Sequence, residues 1–337
     1  MDNKKNKGTK MKKIKIIHLF AFLFFFTLIF SCTKNQNEKP NINNNIIIGF
    51  SQIGAESAWR TCNTQSMQEA AYHAGIQLLY ANAEQKQENQ IKAIRSFIVY
   101  QVDVIVFVPI VQSGWDNVLQ EAKEAGIPVI IIDRKIKTTD ESLFTAFIGS
   151  DHIEEGRNAA RFLLKKFNDE QRNYRILEIR GTEGSSVAAG RSAGFRQILK
   201  TDKRFTITAS ENGDFLRSRG KEIAETYLKK DKDLPFDILF SHNDGMTLGF
   251  LDVLEKTDIK PAQDLIIVSV DAEQAAIDAL KDGKINCVVE CNPKLGNPVM
   301  KTVKMLSEGK TVPKITHIPE NVFTEWDDLS LFPLRGY

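Results

Sequence analysis

Two α/β lobes, each carrying a doubly wound parallel sheet, are the fold the sequence predicts, and three observations predict it. From residue 46 onward, short β-branched runs alternate with longer segments of helical period, the pattern of strand–helix–strand units. Several runs, such as VIVFV at 104–108 and PVIII at 128–132, are apolar throughout, as strands covered by helices on both faces must be. Ten such runs overfill one sheet in a chain of 337 residues, whereas two Rossmann-like sheets of five or six strands suit it.

The first 31 residues are of another kind. Seven lysines (Lys4, Lys5, Lys7, Lys10, Lys12, Lys13 and Lys15) precede an apolar stretch from Ile16 to Phe30, the layout of a secretory signal. At about fifteen residues the stretch is shorter than the ~20 that a spanning helix needs. It ends in Leu28-Ile29-Phe30-Ser31-Cys32, which resembles a lipobox with a bulky Phe30. Cleavage before Cys32 and lipidation of its thiol would tether the mature chain to a membrane surface, a plain signal anchor being the alternative. Residues 32–45, rich in Asn and Lys, read as a flexible tether. Removing residues 1–31 takes away seven lysines and one aspartate, so 45 basic against 43 acidic groups become 38 against 42. The mature chain is mildly acidic, and its charge gives no argument for a nucleic-acid partner.

In the first lobe, strands are expected at 46–50, 76–80, 104–108, 128–132 and 146–149. In the second they are expected at 174–179, 205–210, 236–240, 265–270 and 285–289. The segment 87–100 carries Ile91, Ile94, Phe97 and Ile98 at helical spacing, and a helix over 153–167 can be capped by Ser150-Asp151. A last helix at 293–307 is expected to return to the first lobe. The first lobe thus takes 46–149 with about 291–318, and the second takes 150–290 with about 319–337. Cys287 and Cys291, if extended, lie about 13 Å apart, beyond disulfide reach.

Ligands of open parallel sheets bind beyond the carboxyl ends of the strands. Those ends are unusually charged here: Glu56, Trp59 and Arg60; Asp133 and Arg134; Arg180 to Ser186 leading to Arg191; Asn212 to Phe215; His242-Asn243-Asp244; Asp271; and Glu290. Carboxylates accept from vicinal hydroxyls and guanidinium forks donate to ring and hydroxyl oxygens, so such an array suits a polyhydroxylated neutral molecule, a sugar. Trp59 could stack on a ring or pack the first helix onto its sheet. Trp115 could line the cleft mouth or cap the core.

The stretches GFSQIGAESAWR, QKQENQIKAIRSF, IPVIIIDR, GDFLRSRGKE and SHND carry a resemblance. From about Ile46 to about Glu290 the chain resembles the sugar-binding proteins of bacterial ABC importers of the ribose and galactose type, and within them the galactofuranose-binding group. The resemblance implies a type I periplasmic binding fold, two lobes joined by a three-stranded hinge that close on one monosaccharide, with a furanose such as galactofuranose among the candidates. It implies sugar contacts from Glu56, Arg60, Asp133 and Arg134 in the first lobe and from Arg191, Asn243 and Asp271 in the second lobe or at the hinge edge, with Glu290 at the hinge. Two departures, Ala272 beside Asp271 and Ala188-Ala189-Gly190 before Arg191, bear on which sugar is taken. The partner implied is an ABC permease, with a membrane sensor kinase or chemoreceptor as the alternative. The chain is expected to be a monomer in the periplasm or at the cell-envelope surface.

Other chemistries fit less well. GTEGSSVAAGR lacks the Lys-Ser/Thr ending of a phosphate loop, and Ser185 and Ser186 lie in no nucleophile elbow. His73, His152, His242 and His317 are scattered, so no metal and no cofactor is expected. A glycosidase pair drawn from Glu56, Asp133 and Asp271 is disfavoured, because an arginine beside nearly every carboxylate would keep a general acid ionised.

Overall fold

The computed structural model describes residues 46–230 and 234–337, so the signal segment, Cys32 and the tether lie outside the described residues. The first sheet holds β1 (Ile47–Gln52), β2 (Gln77–Asn82), β3 (Val104–Phe107), β4 (Val129–Ile132), β5 (Ala146–Gly149) and, from far along the chain, β11 (Ile315–His317). The second holds β6 (Tyr174–Arg180), β7 (Phe205–Asn212), β8 (Ile238–Ser241), β9 (Ile266–Asp271), β10 (Cys287–Glu290) and β12 (Val322–Thr324). Their orders are β11-β5-β4-β3-β1-β2 and β12-β10-β9-β8-β6-β7, the same path run twice. All pairings are parallel except β10 with β12.

Ten strands fall where the apolar runs predict them. The other two, β11 and β12, are three-residue edge strands, ITH and VFT, too short to show a period. The helices are α1 (Ala58–Ala74), α2 (Gln87–Val99), α3 (Asp116–Glu124), α4 (His152–Lys166), α5 (Ser186–Leu199), α6 (Arg217–Lys230), α7 (Asp244–Leu254), α8 (Gln274–Lys281) and α9 (Gly296–Ser307). The α4 cap is Asp151, whose carboxylate accepts from the amides of Ile153 and Glu154. The fully buried strands β3, β4, β8 and β10 form the spines of the cores, which need cover on both faces.

The chain crosses between the sheets three times: after β5, after β10 and between β11 and β12. The crossings are knitted by one buried group. A Glu320 carboxylate oxygen accepts from the Ser150 hydroxyl of the first crossing and, at 2.9 Å, from the Asn292 amide of the second. Burial and the nearby Glu155 push the Glu320 carboxyl up to about 9. After the second crossing, α9 packs on α1 so tightly that a Cβ at Gly296 would fall 2.0 Å from the Ser66 carbonyl oxygen. Leu295, Val299, Met300 and Val303 thereby join the first core.

The lobes meet directly. Trp59, from α1, lies in the apolar cluster of the second sheet, beside residues such as Val270, Val289 and Cys291. The Gln112 amide donates to the Gly184 carbonyl at 3.0 Å, and the Lys135 amide to the Ser186 hydroxyl at 2.7 Å. Cys62, Cys287 and Cys291 are buried free thiols.

Candidate functional site

Where the carboxyl ends of the two sheets face each other lies a small cavity between the lobes, the place where open parallel sheets bind ligands. Seven of the eight candidate residues line it. Glu290 does not: one of its oxygens accepts from the Asn321 amide at 2.9 Å and the Asn321 side chain at 2.7 Å, and the other from Arg335. It fastens the C-terminal segment to the second crossing.

On the first-lobe side, β1 runs into a loop that ends at Ser57, whose hydroxyl caps α1 by accepting from the Arg60 amide at 3.1 Å. This places Glu56, Trp59 and Arg60 together at the helix start. Arg60 donates through Nε to Glu56 Oε1 at 2.9 Å, and its Nη2 stands 2.7 Å from Asp133 Oδ2, a charge contact outside hydrogen-bond geometry. Asp133 ends β4 with a φ of 61°, a left-handed conformation that a carboxylate side chain tolerates better than most. Beside it, Arg134 Nη1 donates to the Ile110 carbonyl at 3.0 Å, and its guanidinium lies 5.3 Å from the Phe215 ring centre. Among the described residues, four buried polar atoms here have no hydrogen-bond partner: Glu56 Oε2, Arg60 Nη1, Asp133 Oδ2 and Arg134 Nε.

On the second-lobe side the arginine is engaged through all three of its nitrogens. Arg191, on α5, donates through Nε to Glu155 Oε2 at 2.7 Å, through Nη1 to the His242 carbonyl, and through Nη2 to Asp271 Oδ1 at 3.2 Å. Asn243 caps α7, accepting from the Met246 amide at 3.0 Å, and its amide group donates to the Phe215 carbonyl at 3.2 Å. Asp271 and Ala272 close β9 with φ of 120° and 64°, so the alanine in place of a glycine sits in strained backbone.

The charges follow from burial and pairing. Burial opposes the charge on Glu56, but the Arg60 and Arg134 guanidiniums outweigh it and hold the carboxyl below its usual range. Burial, reinforced by Arg60, lowers Arg134 to about 10. Burial pushes the Asp271 carboxyl well up; Arg191 pulls it back, and Asp244 and Glu273 push it further. The expectation that arginine pairing keeps carboxyls low therefore holds at Glu56 and fails at Asp271, where burial and the neighbouring acids outweigh Arg191. His152, 3.9 Å from Asp133, is lowered to about 3, chiefly by burial.

Trp59 does more than pack a helix onto its own sheet. Its indole Nε1 donates to the Cys291 carbonyl at 2.6 Å and its amide to Glu273 Oε1 at 3.1 Å, so it bolts the first lobe to the second. Its ring also lines the cavity, with the Arg60 guanidinium 4.7 Å from its centre. Trp115 caps the core: it is 1% exposed, bonded to the Val111 carbonyl and packed on Phe107. Phe215 lines the cavity and was missed as a site residue. The signal for it is Gly181, where a Cβ would fall 1.9 Å from the Phe215 ring.

Residues 48–311 match the periplasmic binding protein domain family. The chain is 37% identical over 270 residues to the galactofuranose-binding protein YtfQ of Escherichia coli (strain K12), covering 80% of this chain and 84% of that protein. A crystal structure from Mycobacterium smegmatis in complex with β-D-fucofuranose superposes with a TM-score of 0.80 at 44% identity, covering 83% of this chain and 91% of that one. The periplasmic component of the arabinose ABC transporter from Shewanella sp. ANA-3, bound to α- and β-L-arabinofuranose, superposes with a TM-score of 0.79 at 42% identity, covering 83% and 92%. With the twofold sheet path, the three crossings and the cavity between the lobes, this chain belongs to the periplasmic binding protein family.

Proposed function

We propose that the protein captures one monosaccharide in furanose form between its lobes and delivers it to an ABC permease. The observation that carries this is a set of buried polar atoms around the cavity without a hydrogen-bond partner among the described residues: the acceptor Glu56 Oε2 and the donors Arg60 Nη1 and Arg134 Nε, with Asp133 Oδ2 held by its charge contact to Arg60 alone. A buried polar atom without a partner costs about 1–3 kcal/mol, and a sugar hydroxyl, which both donates and accepts, satisfies either kind. The small cavity favours a single ring, and the furanose-bound relatives support a five-membered one.

The contacts are assigned to Glu56, Arg60, Asp133 and Arg134 on one side and to Arg191, Asn243 and Asp271 on the other, with the Trp59 and Phe215 rings against the apolar face of the sugar. The ligand touches both walls only when the lobes meet, so its affinity for the closed form shifts the population toward closure about the three crossings. Arg60 and Arg134 hold the Glu56 carboxyl low, which supports its role as an ionised acceptor for sugar hydroxyls. Among the described residues no helix is long and apolar enough to cross a membrane, and lipidation at Cys32 is the anchor we propose.

A thermal-shift screen over pentoses and hexoses tests the reading, since a ligand of the folded state raises its melting temperature. Sugars whose furanose forms the relatives hold, L-arabinose and D-fucose, are expected to give the largest shifts. No shift with any monosaccharide would overturn it.

A further inference from the structure

We infer that His152, Glu155 and Cys291 form a binding site for a divalent cation of the zinc class at the root of the two lobes. His152 opens α4 and Glu155 follows three residues later, so both side chains share one helix face. Cys291 comes from the second crossing, immediately after β10. The three bring one donor atom each within 4.8 Å of one another, and all three residues are buried.

Two of the donors are unspent. His152 Nε2 and Glu155 Oε1 are buried atoms with no hydrogen-bond partner among the described residues, a costly arrangement unless a ligand engages them. The Cys291 sulfur has only the Ser150 hydroxyl at 3.4 Å. The other oxygen of Glu155 is held by Arg191 Nε at 2.7 Å, the kind of outer partner that orients a ligating carboxylate and leaves its second oxygen free. One nitrogen, one oxygen and one sulfur donor suit zinc with an open fourth position, whereas a thiolate disfavours calcium and magnesium. Bonds of about 2.0–2.3 Å would draw the three donors together by roughly 1 Å, with the thiol proton leaving to solvent. Arg191, Arg134 and Lys135 add positive charge around the cluster, with the Asp133 carboxylate 3.9 Å from His152 and the carboxyls of Asp271 and Glu320, both pushed up by burial, facing Cys291. The spacing along the chain hides this site, because His152 and Cys291 meet only through the fold.

The test uses the purified protein, stripped with a chelator and titrated with zinc against a chromogenic competitor, then with cobalt. About one zinc per chain is expected, and cobalt should show the near-ultraviolet charge-transfer band of a thiolate ligand. Cys291→Ser should abolish that band and weaken zinc by about tenfold or more; His152→Asn should weaken zinc similarly while keeping the band. Failure to bind zinc at this stoichiometry, or a band that survives Cys291→Ser, would overturn the inference. If Cys291→Ser does not fold, unchanged zinc affinity in His152→Asn overturns it alone.

Discussion

Arg60 and Arg191 stand at matching places in the two lobes. Each lies on the helix after the first strand of its sheet, and each faces an aspartate, Asp133 or Asp271, that ends the fourth strand with a positive φ. Each also binds a glutamate, Glu56 or Glu155. What differs is how much bonding capacity is left over. Arg191 uses all three of its nitrogens within the protein, and the spare oxygen of its triad, Glu155 Oε1, belongs to a residue outside the cavity lining, whereas Arg60 Nη1 and Glu56 Oε2 stay without a partner among the described residues at the cavity wall. The same triad therefore serves as a prebuilt wall in the second lobe and as the reader of the ligand in the first.

Breaking the wall should cost the most stability. Arg191→Ala leaves Glu155 and Asp271 buried without their counter-ion, so urea unfolding should show a loss of about 3–5 kcal/mol. Loss of sugar binding alone, with an unchanged midpoint, would erase the distinction between the halves. Removing charge from the reader should do the reverse. Glu56→Gln is expected to weaken sugar binding by about 1.5–3 kcal/mol, roughly 10- to 150-fold by calorimetry, with a smaller change in stability.

The pH dependence sharpens this contrast. Folded Glu56 gives up its proton more readily than the unfolded side chain, whose value is about 4.5. Its contribution to stability is therefore present above that value and lost as pH falls through the lowered folded one. Wild type and Glu56→Gln should differ in denaturant midpoint at pH 7 and converge on acidification.

Smaller effects test the join between the halves. Trp59→Phe keeps an aromatic ring but loses the bond to the Cys291 carbonyl, and should weaken sugar binding by about 1 kcal/mol through a less favourable closed state. Ala272→Gly relieves a φ of 64° and should raise stability by about 0.5 kcal/mol, read from the melting temperature.

The fold was legible because buried parallel strands write themselves as apolar runs; β11 and β12 escaped because three exposed-edge residues carry no period. The charged strand ends pointed to the cavity for the same topological reason, and seven of the eight chosen residues line it. The strand-end rule misled at Glu290, since position after a strand does not say whether C-terminal residues such as Asn321 and Arg335 will occupy the side chain. Nor could it separate the two triads. Whether an arginine is saturated depends on partners such as Glu155 and the His242 carbonyl, which lie 36 and 51 positions from Arg191. The lobe-spanning role of Trp59 was likewise hidden, since Cys291 is 232 positions away.

Asp133→Asn tests the central claim most directly. Asparagine tolerates the left-handed backbone at this position and keeps the side chain's shape, so the change removes the charge and one acceptor facing the cavity. Calorimetric titration with the sugar that gives the largest thermal shift should show affinity reduced by about tenfold or more, with a loss of stability smaller than that of Arg191→Ala because Arg60 keeps Glu56 as a partner. Unchanged affinity in that variant would contradict the assignment of the first lobe as the reader of the sugar.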